Sequence, residues 1–316
     1  MKQVFEIDWV DDTTWDAFIQ TSNQNNVFSQ SQVIKCFDLD YKFLTVRKNG
    51  EALLGFPIIF DEYKQSTFLP YLYYQAPLFS KIIDQMVNHR RYNYIQQLTE
   101  TALVALTSNF ASLAFKTHPS ITDMRPYLRF KTDQLVGVTI IPNYTAVVTP
   151  VETGIVELKK KYRKDRRQDL KYASSAGFEI SEINDVEILL DIVSQNFLRK
   201  GVGFPDYDRT VLGNIARLSQ KGGFGRIYGV KTSTGEIVAA QFVLLDSKTM
   251  HAVATGAKDE HDQGVGSMLV HHCIIEALKN NLSFDFNGAN SAYLADFKHS
   301  FNAELKTYFK ILWRKN

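Results

Sequence analysis

The sequence predicts a mixed α/β protein whose two halves carry the same order of elements. In the second half, a run of strand-like segments (226–257) leads into a glycine-bearing loop, a helix and one more strand (261–287). The first half shows a strand hairpin, a long helix over 88–108 and further strands, without the glycine loop. Two degenerate copies of one fold account for this repetition, and we expect them to occupy residues 1–150 and 151–316.

The first half opens with two short helices. Thr13 or Thr14 is placed to cap the first and Ser29 the second, because their hydroxyl groups can accept hydrogen bonds from the first free N–H groups. Asn49 and Gly50 then give a strong hairpin signal, since both residue types adopt the positive φ that a two-residue turn requires. The other expected elements of this half are strands at 43–48, 51–60, 66–71, 111–116, 135–141 and 145–149 and a helix at 88–108.

The second half is organised around a loop that runs from His261 into an amphipathic helix at 270–280. Two glycines let the backbone turn tightly and approach a ligand, and a helix N-terminus favours negative charge. The loop therefore predicts a site for a phosphate or pyrophosphate, and a plain tight turn is the alternative interpretation. The candidate binding residues are His261, Gln263, Gly264, Val265, Gly266 and Ser267. Strands are expected at 226–231, 236–246, 249–257 and 283–287.

The composition indicates a globular protein with an ample core. The chain has 316 residues, 45% hydrophobic content and a formal net charge of +2, so any polyanion must bind a local basic patch, and no DNA partner is expected. Neither a signal peptide nor a membrane span is visible, and we expect a cytoplasmic protein. The two cysteines imply no redox chemistry. Consecutive His271, His272 and Cys273 splay around a helix, so no metal site is expected.

The one concentrated basic patch lies between the halves, at residues 158–171, in a segment of helical propensity that ends at Gly177. Arg163, Arg166 and Arg167 within it suit phosphate groups, because guanidinium forks match phosphate geometry. A nucleotide-linked, lipid-linked or tRNA partner would each fit this interpretation. The alternative is a solvated linker helix, whose acidic residues pair with neighbours at helical spacing.

An aromatic run at 68–78 follows the expected hairpin of the first half. Tyrosines in such a loop often line a cleft, so Tyr73 and Tyr74 are candidate contacts for an acceptor substrate. Pro70 and Pro77 favour a shaped, irregular segment over a central strand. A role in the core and at its rim is an equal alternative.

The strand expected at 283–287 carries the first candidate for catalysis. Alternation along a strand puts its two phenylalanines on one face and Asp285 on the other. Asp285 could take the proton of an attacking amine or orient an ammonium group, or it could tie down the turn that follows. Tyr293 and Lys298 lie on the next helical stretch, five positions apart, and each also has a packing or surface interpretation.

Three segments of the chain are loose motifs individually, but their order along the sequence is informative. They are the basic core Tyr162 to Arg167, the segment Leu69 to Leu78 with its two prolines, and the ending Phe284 to Gly288 followed by Phe297 to Ala303. Together they resemble the FemABX-like branch of the GNAT acyltransferases, and the resemblance covers most of the chain. The glycine loop is similar to the GNAT pattern Gln/Arg-x-x-Gly-x-Gly/Ala, which grips the pyrophosphate of coenzyme A, with His261 in its first position.

The resemblance implies two tandem GNAT-like domains joined by a basic helix, and an acyltransferase or aminoacyltransferase that acts on an amine. Its donor would be an acyl-CoA thioester or an aminoacyl-tRNA, used as a co-substrate, with no permanently bound cofactor. Its acceptor would be a small molecule, a cell-wall precursor or a lipid-linked amine, the last reached by peripheral contact with a membrane. The family likeness favours Lys298 as a catalytic residue. A non-catalytic binding module with the same fold is the alternative.

Overall fold

The computed structural model describes residues 4–130, 135–150, 154–199, 201–258 and 264–315. The chain divides into two compact units, one formed by Met1–Asn143 with Thr307–Asn316 and the other by Tyr144–Lys306. It passes from unit to unit within strands, so its C-terminal residues return to the first unit. The predicted division into residues 1–150 and 151–316 does not include that return. The assignment of the two halves as GNAT-like domains stays a prediction.

The first unit contains an antiparallel sheet and the helices that cover it. Its elements are strand β1 (Glu6–Val10), helices α1 (Asp12–Ile19) and α2 (Ser31–Ile34), strands β2 (Asp40–Lys48), β3 (Glu51–Phe60) and β4 (Leu78–Phe79), helices α3 (Lys81–Asp84) and α4 (Asn88–Asn109), strand β5 (Ser112–Lys116) and helix α5 (Arg125–Leu128). Strands β1, β2, β3 and β4 form the sheet in that order. Apolar residues of β2 and β3 share one core with α4 and β5.

The hairpin and the long helix of the first unit are confirmed. Lys48 pairs with Glu51 across the turn, and Asn49 and Gly50 take positive φ values of 51° and 80°. These values are the ones that a two-residue hairpin turn requires, which explains why this pair of residue types occurs there. Helix α4 covers the expected residues and ends one position later than predicted.

The prediction of a strand at 66–71 is wrong, because backbone carbonyls in and beside this segment accept hydrogen bonds from a buried lysine. The ammonium group of Lys116 donates to the carbonyls of Leu69 and Leu72, at 3.1 and 2.6 Å. Tyr71 between them has a positive φ of 55°, which lies outside the β region. Burial lowers the pKa of Lys116 to about 7. The aromatic segment is therefore an irregular structure shaped around this amine.

The second unit is a mixed sheet with helices. Strand β6 (Leu135–Val148) enters it from the first unit and is followed by helices α6 (Gly154–Lys161) and α7 (Lys164–Ser175), strand β7 (Glu179–Glu182), helices α8 (Val186–Arg199) and α9 (Asp206–Lys221), strands β8 (Gly225–Lys231), β9 (Ile237–Leu245) and β10 (Thr249–Ala257), helix α10 (Val265–Lys279), strand β11 (Ser283–Asp285), helix α11 (Ala292–His299) and strand β12 (Glu304–Lys315), which returns to the first unit. The strand order within this unit is β6-β11-β10-β9-β8-β7.

Strands β10 and β11 form a short parallel pair that α10 connects. The paired residues are Thr249 with Ser283, Met250 with Phe284 and His251 with Asp285. Strand β11 ends at Asp285, whereas β10 continues to Ala257 after its register against β9 shifts at Val253. The last part of β10 thus extends beyond the end of its parallel neighbour.

The amphipathic helix predicted at 270–280 is confirmed and starts earlier, at Val265, because Gly264 caps it. Its apolar face packs into the core of the second unit through Leu269, Val270, Cys273, Ile274 and Ala277. Parallel and antiparallel strands together with many helices confirm the predicted mixed α/β fold class. Among the residues that the structure describes, no helix is both long and apolar enough to cross a membrane.

The basic segment forms two helices, α6 and α7, rather than the single helix expected. Arg163 separates them with an extended backbone, and its N–H donates to the carbonyl of Ser300 at 2.9 Å. The preceding Tyr162 is buried, with its ring 5.2 Å from that of Phe301. Burial of this ring and the bond to Ser300 take the chain out of the helical path. Gly177 follows α7 with a φ of +75°, as expected after a helix end.

We predict that Gly264 is required for the packing of α10 on α7. Gly264 has a φ of +79°, and a Cβ there would lie 2.5 Å from the backbone oxygen of Asp169. Gly264→Ala should therefore lower the free energy of unfolding by about 2 kcal/mol, through backbone strain and forced separation of the two helices. Urea denaturation measures this change.

Gly266→Ala is the matched control for that measurement. A Cβ at Gly266 would meet no atom within 4 Å, and alanine favours a helix over glycine. The control variant should be at least as stable as the parent protein. Equal stability of the two alanine variants would contradict the packing role of Gly264.

Candidate functional site

A cavity of about 370 Å³ lies at the start of α10, within the second unit. Its lining residues are Arg163, Arg166, Asp169, Gly264, Gly266, Ser267, Tyr293, Asp296 and Phe297. They include three residues of the predicted anion loop, two of the three predicted arginines and one of the three predicted catalytic residues. The volume is in the range of small-molecule sites, roughly 300–1,000 Å³.

The first turn of α10 brings backbone N–H groups to this cavity. N–H groups at a helix start have no acceptor inside the helix, and the helix dipole makes this end positive. Gly264 caps the helix without a side-chain hydrogen bond. Gly266 lines the cavity with open space where a side chain would be. Of the two glycines only Gly264 has a positive φ, so Gly266 provides access rather than relief of backbone strain.

Ser267 ties the start of α10 to α7 through charged side chains. Its Oγ donates to Asp169 Oδ2 at 2.6 Å and accepts from Arg166 Nη1 at 2.8 Å. Arg166 also pairs with Asp169 at 3.0 Å, and its guanidinium lies 5.1 Å from the centre of the Phe297 ring. Ser267 is buried and the Arg166 side chain is only 17% exposed. These contacts hold the wall of the cavity in place.

The guanidinium of Arg167 is hydrogen-bonded to the backbone and is not free to bind a ligand. Its Nη1 donates to the carbonyls of Lys160 and Tyr162, at 2.8 and 2.7 Å. These carbonyls lie at the end of α6, where backbone acceptors lack helical donors. Arg167 therefore caps α6, and it is absent from the cavity lining.

Arg163 lies at the rim of the cavity in two exposed ion pairs. Its guanidinium contacts Asp165 at 2.8 Å and Asp296 at 2.7 Å, and its side chain is 45% exposed. Hydrogen bonds from these two carboxylates raise the pKa of Arg163. Because exposed ion pairs contribute little to stability, Arg163 can exchange a carboxylate for another anion at small cost.

Asp285 lies at the end of β11, where it is buried in the turn that follows. Its Oδ1 accepts from the hydroxyl of Thr145 and from the N–H of Asn287, the latter at 2.8 Å. Thr145 in turn accepts from the N–H of Gly288 at 3.1 Å. These are the contacts of a turn clamp, one of the two interpretations of Asp285. With 4% of the residue exposed, a direct role in proton transfer stays a prediction.

Lys298 reaches the same turn from α11. Its Nζ donates to the carbonyl of Phe286 at 3.1 Å and to the carbonyl of Gly288. Burial lowers the pKa of Lys298 to about 8, and the carboxyl of Asp285 opposes this shift. A group with this pKa can exchange protons near neutral pH. The preceding Phe297 lines the cavity, so α11 connects the cavity to the turn.

A buried series of hydrogen-bonded polar side chains, which the sequence did not predict, lies beside this turn. His251 of β10 contacts Asp246 through Nε2 at 2.9 Å and Asn287 through Nδ1 at 3.3 Å. Burial alone would lower the pKa of His251, but the hydrogen bond and charge of Asp246 outweigh burial and raise it. No spacing in the sequence indicates these contacts, because the β9-β10 hairpin brings Asp246 to His251 and the parallel register of β10 and β11 brings Asn287 to it.

Tyr293 lies at the mouth of the cavity and is 84% exposed. Lys298 on the same helix faces the turn instead, as the five-residue spacing predicts. The N–H of Val265 belongs to the first turn of α10, while its side chain is buried in the core. His261 and Gln263, the other residues of the predicted loop, lie outside the described residues.

The two candidate tyrosines belong to the first unit. Tyr74 is 2% exposed and makes edge contacts with the rings of Phe28 and Tyr308, so it is a core residue. Tyr73 is partly exposed, and the Lys116 ammonium lies 4.9 Å from its ring centre. The prediction of substrate contact for this segment therefore depends on Tyr73.

The described part of the chain holds no cluster of three or more His, Cys, Asp or Glu side chains suited to a metal ion. His271 contacts the hydroxyl of Tyr162 at 3.2 Å, and the ring of His272 lies 4.8 Å from that of Tyr228. Cys273 is buried in the core, and Cys36 is partly buried. These side chains thus have packing roles.

Residues 159–298 match the family model of the acetyltransferase (GNAT) domain. The matched segment contains α7, the β10-α10-β11 unit, the cavity lining and Lys298. This match confirms the GNAT resemblance for the part of the chain that carries the site. No curated protein matches the chain by sequence.

Solved structures share the fold over nearly the whole chain. FemX superposes with a TM-score of 0.69 at 11% identity, covering 96% of this chain and 96% of FemX. A tandem GNAT protein from the clavulanic acid biosynthesis pathway gives 0.53 at 12% identity, covering 99% and 98%. L-PGS from Bacillus licheniformis gives 0.52 at 12% identity, covering 97% and 92%. The fold is therefore a FemABX-like GNAT fold, and the family model supports acyl transfer in general terms.

Proposed function

We propose that the second unit transfers an acyl or aminoacyl group from an activated donor to the amine of an acceptor. The observation that carries this proposal is the end of the β10–β11 pairing at Asp285, beyond which β10 continues to Ala257 on the side of the sheet where α10 starts. In a β-α-β unit the helix start and the C-terminal ends of both parallel strands meet at one edge of the sheet, where ligands bind in open α/β sheets. The cavity lies at that helix start and is joined through α11 to the turn after β11.

The start of α10 suits the phosphates of the donor. Backbone N–H groups and the helix dipole favour an anion there, and Gly266 leaves room for its approach. Arg163 at the rim can add a charged contact, because its present ion pairs are exposed. Both candidate donors carry phosphates, as the pyrophosphate of coenzyme A or as the backbone of tRNA.

The end of β10 suits an extended arm of the donor. After the last pair with β11, β10 continues to Ala257, and an extended ligand can add to such an edge through backbone hydrogen bonds. This arrangement would hold the donor between the anion site and the turn after β11. The reactive carbonyl would then lie near Lys298 and Asn287.

The reaction is attack of a neutral amine on the acyl carbon. The new C–N bond forms, and the C–S bond of a thioester or the C–O bond of an aminoacyl ester breaks. Lys298 in its charged form can give a proton to the leaving sulfur or oxygen, and its neutral form can then take the proton that the amine nitrogen loses. The products are an amide and a free thiol or a free tRNA hydroxyl.

The acceptor is proposed to be an amine of a small molecule, a cell-wall precursor or a lipid-linked compound. Asp285 is a candidate to orient its ammonium form. The competing possibility is a non-catalytic module that only binds such compounds. Release of thiol or of deacylated tRNA in the presence of amines separates the two, since a binding module gives saturable binding without release.

The donor site is tested by filling the space at Gly266. Gly266→Val would place a branched side chain in the cavity, and its Cβ would meet no atom within 4 Å, so donor binding should fall by at least tenfold while the fold is retained. Gly203→Val is the matched control, because Gly203 has equally open surroundings and lies outside the cavity. Titration with acetyl-CoA and with aminoacyl-tRNA measures the effect. Donor binding equal to that of the parent protein would rule out this site.

The arginines are tested by the salt dependence of donor binding. Arg163→Gln removes an exposed rim cation, so binding of aminoacyl-tRNA should weaken and its log–log salt slope should fall by roughly 0.7–0.9 units. Arg167→Gln removes the cap of α6 and should reduce stability without changing the slope. Filter binding at several salt concentrations gives both slopes. Identical slopes for the two variants would contradict the rim role of Arg163.

The role of Lys298 is tested by pH. Because its pKa is about 8, the charged form that donates a proton is present below pH 8 and lost above it, so kcat should decline above that pH. Lys298→Arg keeps the charge but cannot release a proton, so kcat should fall by roughly 10²-fold and lose this decline. Circular dichroism reports whether the variant remains folded. A folded arginine variant with the parent's rate and pH profile would exclude proton transfer by Lys298.

A further inference from the structure

Asn287 is buried at the end of β11 with a polar atom that lacks a partner. The residue is 7% exposed, and among the described atoms its Nδ2 finds no hydrogen-bond acceptor. The great majority of buried polar atoms in folded proteins are hydrogen-bonded. A buried donor in this condition can bind an acceptor that a ligand supplies.

The orientation of the Asn287 carboxamide is fixed by its neighbour. Asp246 raises the pKa of His251 and so favours the imidazolium form, which has a proton on each nitrogen. Nε2–H donates to Asp246 at 2.9 Å, and Nδ1–H requires an acceptor, which is Oδ1 of Asn287 at 3.3 Å. The Asp246–His251 pair thus holds the carboxamide with Nδ2 directed away from the imidazole.

The backbone of the same turn is held as firmly as the side chain. Asn287 has a positive φ of 49°, an uncommon conformation that clusters at functional sites. Its N–H donates to Asp285, and the next N–H, of Gly288, donates to Thr145. Nζ of Lys298 donates hydrogen bonds to the carbonyls of the residues before and after Asn287. The carboxamide therefore has little freedom to turn its Nδ2 toward a protein acceptor.

We propose that Nδ2 of Asn287 donates a hydrogen bond to the carbonyl oxygen of the donor's activated acyl group. This inference rests on the proposed function and assigns a residue that binds the reacting group. When the amine attacks, the π electrons of the C=O bond move onto that oxygen, and they return when the C–S or C–O bond breaks. A donor fixed in advance stabilises the charge on the oxygen without reorganisation.

Asn287→Asp tests this assignment with little change in shape. Aspartate tolerates the left-handed conformation and keeps an oxygen for His251, but it cannot donate from the position of Nδ2. We expect kcat to fall by roughly 10²-fold, the usual effect of removing one such donor. Asn281→Asp is the matched control, because Asn281 also has a positive φ, of 55°, and is exposed. Asn287→Gly is the second variant, which removes the side chain and tolerates the same φ.

Binding of paired probes shows whether the acyl oxygen is the group recognised. One pair is acetonyl-CoA, which has a ketone near the position of the thioester carbonyl, and free coenzyme A. The other is an RNA hairpin with a 3′-aminoacylamide and the same hairpin uncharged. In Asn287→Asp and Asn287→Gly, calorimetry should show at least tenfold weaker binding of the carbonyl-bearing probe and unchanged binding of its partner. A loss of affinity within the coenzyme A pair identifies the donor as a thioester, and a loss within the hairpin pair identifies it as an aminoacyl ester.

Two results would overturn the inference, and they separate it from the proposed function. If the parent protein transfers acyl groups while both Asn287 variants keep its rate and probe affinities, the role of Asn287 is excluded and the transferase remains. If the parent protein neither binds a carbonyl-bearing probe nor releases thiol or tRNA with any amine, the proposed function fails and the assignment of Asn287 fails with it.

Discussion

The second unit depends on one close contact, between the backbone of Gly264 and that of Asp169. Any side chain at Gly264 would overlap the Asp169 carbonyl, so only glycine lets α10 start against α7. The same aspartate accepts the hydroxyl of Ser267 one turn later. Backbone and side chain of Asp169 therefore both fix the start of α10, which decides where its N–H groups point. The cavity, and the place of a donor in it, follow from this contact.

Recognition of an anion at this site is a property of the backbone more than of the arginines. Three carboxylates, those of Asp165, Asp169 and Asp296, surround Arg163 and Arg166, so the side chains alone give no excess of positive charge. The N–H groups and dipole of α10 have no such competitors among the contacts described for its first turn. An arriving phosphate would thus be attracted by the helix start and would gain Arg163 only by displacing a carboxylate. This arrangement favours anions that approach the helix axis over those that bind the surface diffusely.

The sequence predicted the parts of this site that depend on local backbone chemistry. The glycine loop, the helix behind it and the Asn49-Gly50 hairpin each follow from residue types that favour one conformation. The partners of Arg167 and the contact of His251 with Asn287 could not be predicted, because they depend on the break between α6 and α7 and on the register of β10 against β11. Strand alternation correctly separated Asp285 from the phenylalanines but gave no sign that both faces would be buried. Long-range packing, rather than propensity, decides these contacts.

The buried groups at the end of β11 are coupled, which limits what a single substitution of Asp285 can reveal. The carboxyl of Asp285 raises the pKa values of Lys298 and of His251, in addition to the turn bonds that it accepts. Removing its charge would lower the pKa of Lys298 further below 8 and reduce the fraction of charged amine at neutral pH. A slower Asp285→Asn variant would therefore be explained equally by a lost base, a loosened turn or a less protonated Lys298. The substitution lowers the pKa of Lys298 in all three cases, so the rate must be compared at a pH where Lys298 is fully charged in both proteins: a rate restored there identifies a residue that acts through Lys298, whereas a rate that stays low does not.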